Sequence, residues 1–224
     1  MCTPSTRSLT AAALLLVAVS ALPAKDNTGV TVDKKERSVS IACAVAPRKL
    51  PTLDQIYPIE VIATFPAPKG QKAHETVVTY QAKPSDVHKA LESFGLKPGK
   101  PAQGEGAVGK GPEVEIFLEV PTSSGKPKRI PIEEAMIDTK SGKPVPRLKW
   151  HFTGSAQKQP DPEKDDKVYG ADLTGTLITV FPVTDDCVVQ SGLAFKDQDK
   201  LKLEVNKKLV PKEGTPLKLV IKVK

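Results

Sequence analysis

Cysteine is scarce: three in 224 residues, Cys2, Cys43 and Cys187, with no CxxC pair. An ordinary iron–sulfur cluster needs four thiolates, so this chain alone cannot hold one, and we expect no cofactor of that kind. Aromatic residues make up only 4% of the chain, leaving little surface on which bases could stack. The excess of basic over acidic residues gives a formal charge of +7, but the two signs are interspersed rather than gathered into a stripe. Nucleic acid is therefore disfavoured as a partner. No GxSxG elbow and no HExxH are present, and GEGAVGKG at 104–111 lacks the flanking strand and helix of a phosphate loop.

Only one long apolar run occurs, Leu9 to Leu22, preceded by Arg7 as the sole early charge. It is shorter than the roughly 20 residues a spanning helix requires. With small residues at Ala21 and Ala24, it reads as a secretory signal peptide over 1–24. Cys2 and Cys43 lie far from the cleavage point, which argues against a lipid-anchored cysteine. The expected product is a single exported domain over 25–224, periplasmic or extracellular, with no transmembrane segment in the mature chain. A chain of that length buries about 70% of its unfolded surface.

Past the leader, Val30–Asp33 and Ser38–Val45 alternate like strands and are joined by KKER, a hairpin pattern. Ile59–Phe65 is densely apolar and reads as a central strand, followed by a strand from Glu75 to Tyr80. Helical spacing appears clearly once: Val87, Ala90, Leu91 and Phe94 recur at i, i+3, i+4 and i+7. This predicts a helix over 85–94, with Ser85 as N-cap and Gly95 as its stop. Residues 95–112 are rich in Gly, Pro and Lys and read as a surface loop. Glu113–Val120 alternates strictly, with Glu113, Glu115 and Glu119 on a solvated face. Pro131 can start a second short helix near 131–137, or Arg129–Ile132 can be a strand. Leu148–Thr153 is a strand carrying Trp150 and His151. Tyr169–Phe181 reads as a strand in which Gly175 marks a bulge. Leu217–Val223 closes the chain with outward lysines suited to an edge. Many short strands, 21 prolines and one clear helix give an α+β, mainly β class, expected as antiparallel strands in a sandwich-like arrangement.

Four blocks carry a family likeness. IEVIATF followed by HETVVTYQAKPSDVHKALESFGLKPG, then WHFTGS, VYGADLTGTLITV and LEVNKKLVPKEGTPLKLVIK resemble the YdjY-type domain of exported bacterial proteins, planctomycete ones above all. The matching positions are His74, Glu75, His88, Gly95, Trp150, Phe152, Thr153, Gly154, Ser155, Tyr169, Asp172 and Asn206. The resemblance implies an uncharacterised exported protein and no particular activity. Some members have been labelled ferredoxin-like, a label that cannot extend to a chain with so few cysteines.

The candidate functional cluster is His74, Glu75, His88, Trp150, Ser155 and Asp172. His74, His88 and Glu75 are chemically adequate ligands for zinc or iron. They define one reading, a metal-dependent enzyme or metal-binding protein. Against it, neighbours in a regular strand face opposite ways, which would part His74 from Glu75. Ser155 lacks the elbow context of a nucleophile and suits a cap or turn, and Trp150 and Phe152 suit the core. The leading expectation is a non-catalytic binding or structural module of the cell envelope, its partner an envelope protein or polymer. Cys43 and Cys187 can pair across the fold or serve as small core hydrophobes.

Overall fold

The computed structural model describes residues 29–224; the expected signal peptide lies outside them. The predicted hairpin forms β1 (Val30–Asp33) and β2 (Ser38–Val45). Asp33 Oδ1 accepts the Lys35 and Glu36 amides at 2.9 Å, holding the turn. Then follow β3 (Val61–Thr64), a 3-10 turn (Ala73–Glu75), β4 (Thr76–Tyr80) and α1 (Pro84–Glu92). Next come β5 (Glu113–Val120), β6 (Lys128–Pro131), β7 (Met136–Asp138), β8 (Lys143–Pro144) and β9 (Trp150–Phe152). The chain ends with β10 (Gln157–Lys158), β11 (Val168–Tyr169), α2 (Gly170–Thr174), β12 (Ile178–Thr179), β13 (Val189–Ser191), β14 (Leu203–Val205) and β15 (Pro216–Val223).

Eight strands close on themselves in the order β2-β15-β5-β9-β13-β12-β3-β4, with β4 pairing back onto β2. The arrangement is a mixed barrel rather than an antiparallel sandwich, because β3–β4 and β12–β13 run parallel. Closure is possible because β2 divides one edge between two partners. Ser38–Ile41 pairs with β1, and Cys43–Val45 pairs with β4. β15 is therefore not an edge: it lies between β2 and β5, and its lysines point outward from an interior strand. Direct cross-strand neighbours Ile41, Leu219 and Leu118 share the inward face, as do Val39, Ile221 and Ile116. All six are buried. β7, β8 and β14 form a small separate sheet, and β10–β11 a hairpin.

Two helix expectations need correction. The stretch near 131–137 is not a helix. β6 ends at Pro131, and Ile132–Ala135 turns through i→i+3 bonds of 3.0–3.3 Å into β7. That turn carries Glu133 inward, where it accepts the Trp150 indole N–H at 2.8 Å. The second helix is instead α2, inside what reads as the 169–181 strand. Gly175 ends it at φ 72°. A side chain there would also fall within 2.0 Å of the Phe65 ring, so glycine is required twice over.

α1 sits where its spacing predicts, with Val87 and Leu91 fully buried. Ser85 does not cap it. Lys83 is the N-cap and Pro84 follows it, while the Ser85 amide donates to Asp172 Oδ1 at 2.8 Å. Phe94 lies beyond the last turn, half-buried, with Lys34 Nζ 4.6 Å from its ring centre. Leu91→Ala should cost about 2–5 kcal/mol, the usual range for a cavity left in a packed site. Phe94→Ala should cost less, because water and Lys34 already reach its ring. Urea denaturation of both variants checks the order; a larger loss at Phe94 would contradict this packing.

Candidate functional site

α1 turns two faces in opposite directions. Val87 and Leu91 go into the core, while Ser85, His88, Lys89 and Glu92 line a cleft of about 510 Å3. The opposite wall is the Thr153–Ser155 turn that follows β9, with Gln157, Tyr169 and the Pro98–Pro101 loop completing it. Gly154, at φ 68°, makes the narrow approach possible: a Cβ there would lie 2.9 Å from Pro98 Cβ and 3.4 Å from His88 Cε1. The loop wall is pinned from the barrel side. The buried Gln190 amide spans Ala102, accepting its N–H at 2.8 Å and donating to its C=O at 2.9 Å. The sequence places 95–112 in a loop but contains no signal for this anchor.

Polar groups at the head of the cleft are bonded to one another. The Ser155 amide donates to the Tyr169 hydroxyl at 3.1 Å, and that hydroxyl lies 2.7 Å from His88 Nδ1. Burial raises the Tyr169 pKa, outweighing the Ser155 amide, so the phenol keeps its proton. The phenol oxygen accepts from Ser155 and is hydrogen-bonded with Nδ1. Nε2 of His88 faces Glu92 Oε1 at 3.4 Å. The imidazole is clamped edge-on by Phe152 and Tyr169, at 5.0 and 5.2 Å between centroids. The Ser155 hydroxyl is occupied elsewhere: it accepts the Ala171 amide at 2.9 Å and donates to the Ala156 carbonyl at 3.1 Å. It thus serves the first turn of α2, while Asp172 of α2 serves the first turn of α1.

Of the six candidate residues, His88, Ser155 and Asp172 come together around this cleft, and the other three do not. Trp150 is 1% exposed in the core, bonded to Glu133. His74 and Glu75 lie in the 3-10 turn before β4, not in a strand, so the expected opposition of their side chains does not hold. His74 Nε2 is 3.2 Å from Glu75 Oε1, and its ring meets Tyr57 edge-on at 5.2 Å. His74 and His88 share no partner among the described residues. Among the described residues, no group of three or more His, Cys, Asp or Glu side chains is placed to hold a metal ion.

The His74 turn belongs to a different cluster, which sequence reasoning missed. Lys72 Nζ bridges Glu60 at 2.7 Å and Glu75 at 2.6 Å, and Gln198 Nε2 donates to Glu60. Burial pushes both carboxyls up. At Glu75 the bonds from Lys72 and Glu60 outweigh burial and hold it below the usual range. At Glu60 burial, reinforced by Glu75, keeps it above. The Lys72–Glu75 spacing of three was the only clue in the sequence; Glu60 and Gln198 arrive from remote segments.

The two cysteines are free and buried. Cys43 faces the barrel interior beside Leu217, whose carbonyl lies 3.5 Å from its sulfur. Cys187 packs against Thr179 and Thr184 at 3.8 Å. Each is a core residue of its own neighbourhood, and burial pushes both thiols up to about 12.

A family model described as the YdjY domain matches residues 30–222. No curated protein and no solved structure matches the chain.

Tyr169→Phe should remove the shared partner of Ser155 and His88 and cost about 1–3 kcal/mol, the range for unpaired buried polar groups. Urea unfolding measures it; an unchanged midpoint would show the wiring contributes nothing to stability. The thiols give a pH test. Their folded pKa stands above the unfolded value, so their contribution to stability is complete below about pH 9 and is lost as pH rises towards 12. At pH 8, iodoacetamide should leave both cysteines of the folded domain unmodified and alkylate both in denaturant. Rapid labelling of the native protein would refute their burial.

Proposed function

The chain belongs to the YdjY domain family, and we propose that it is an exported, non-catalytic binding module of the cell envelope whose ligand seat is the α1 cleft. The observation that carries this reading is the commitment of the cleft's reactive groups to structural bonds. Ser155 and His88 would be the nucleophile and base of an enzyme here, yet the hydroxyl is bonded to Ala171 and Ala156, not to the imidazole. His88 Nδ1 is engaged by the Tyr169 hydroxyl, and Nε2 faces Glu92. A nucleophile needs a base within hydrogen-bond reach, and among the described residues none is bonded to the Ser155 hydroxyl. What the cleft keeps is shape, an apolar lining from Pro98 and Pro101, and rim groups such as Lys89 and Gln157 that can meet a ligand.

Export is proposed on the leader-like segment at 1–24, and the envelope setting on the family resemblance. No helix among the described residues is long and apolar enough to cross a membrane. The purified protein should bind saturably to isolated bacterial murein or membrane fractions, each assayed separately by cosedimentation. Gln157→Trp, an exposed rim substitution that fills the cleft, should weaken that binding about tenfold or more without lowering thermal stability. Turnover of an ester, amide or glycoside that disappears in a folded His88→Gln variant would replace this reading with an enzymatic one.

A further inference from the structure

A second cavity shares no residue with the cleft. It has a volume of about 370 Å3 and lies at the C-terminal end of β2, where Val45 meets Val205 of β14 and the 206–215 loop. The size falls within the range of small-molecule sites. Its floor is Val45, Val205 and Val210, all at most 5% exposed, and Pro211 adds another apolar wall. Lys207 and Lys212 stand at the rim, exposed, and neither has an ion pair among the described residues. The other charged groups of the lining are Arg48 and Glu213. Arg48 is spent on Glu204 at 2.8 Å and on the carbonyls of His74 and Tyr57, and Glu213 Oε1 accepts the Arg48 amide at 3.0 Å.

Backbone donors decide what kind of molecule can enter. The Val45 amide goes to Thr215 O at 3.1 Å, Val205 to Glu204 Oε1 at 2.8 Å and Val210 to Asn206 O at 2.9 Å. Pro211 has none. Along the valine floor a peptide would find no free backbone donor for its carbonyl groups, and burying them there unpaired is costly. An unbranched alkyl chain meets no such penalty, and its burial against the valines is favourable by area alone. The two unpaired ammonium groups complement an anionic head at the mouth.

We propose that this cavity is a binding site for a single-chain alkyl carboxylate, with the tail on Val45, Val205 and Val210 and the carboxylate between Lys207 and Lys212. Titration calorimetry with sodium decanoate below its micelle concentration tests it. One molecule should bind per chain. The K207Q/K212Q double variant, altered only at exposed positions, should bind decanoate about fivefold or more weakly, as loss of two partly screened ion pairs implies. Decanol should bind the wild type and the double variant alike, and more weakly than decanoate binds the wild type. Acetate, lacking the tail, should not bind. Gln157→Trp should leave decanoate binding unchanged, which separates this site from the cleft. Absence of saturable binding, many molecules per chain, equal affinity of the two proteins for decanoate, or sensitivity to Gln157→Trp would each overturn the proposal.

Discussion

Strand β2 hydrogen-bonds to three neighbours, and the closed barrel depends on its doing so. Its seven-residue ladder with β15, Ser38–Ala44 against Pro216–Lys222, joins the first and last long strands of the domain. Its other edge is divided, β1 taking the first half and β4 the second. A sheet without that division would leave β4 as an open edge, with unpaired backbone groups beside the most apolar part of the chain. Because β4 is held there, the chain leaving it at Tyr80 enters α1 beside β1 and β2. Tyr80 itself is fastened by its hydroxyl to Gly175 O at 2.8 Å, which ties the start of α1 to the end of α2.

The cleft follows from that placement. Neither helix supplies its own N-terminal acceptor: Asp172 of α2 takes an amide of α1, and Ser155 takes an amide of α2. Each first turn is completed by a residue remote in sequence, so the helices and the Thr153–Ser155 turn are mutually dependent. Tyr169 closes the set by bonding both Ser155 and His88. Groups that look reactive in the sequence are thereby consumed in positioning the walls. This commitment is what supports the proposed reading of the cleft as a ligand seat.

Buried charge is handled by saturation on the other side of the barrel. Arg48 is 5% exposed and is paired with Glu204 while also meeting two backbone carbonyls. Glu133 is 3% exposed and receives Trp150, the Leu148 amide and Arg147. A buried ion left without such partners is strongly destabilising, so these networks specify how the small β7–β8–β14 sheet and the Glu133 turn join the barrel. Their net worth against apolar replacements of similar volume is a separate matter, since satisfied buried pairs often only break even.

Local pattern was enough to read much of this from the sequence. Alternation located β5 and β15, the i, i+3, i+4 spacing located α1, and KKER located the β1–β2 turn, because each is a property of a few consecutive residues. The family blocks located His88, Thr153–Ser155, Tyr169 and Asp172 as positions of interest. Three-dimensional proximity decided the rest. Barrel closure, the two parallel pairs and the interior place of β15 depend on hydrogen bonds between distant strands, which leave no period in the chain. Tyr169–Thr174 has the composition of a strand end, yet it coils into α2 because Ser155, 16 residues away from Ala171, supplies its missing acceptor. His74 and His88, alike in sequence, part company for the same reason. One is turned towards Lys72 and Glu75 by a 3-10 turn, and the other is held against Tyr169 by a helix face, and only the packed fold determines which partners each imidazole finds.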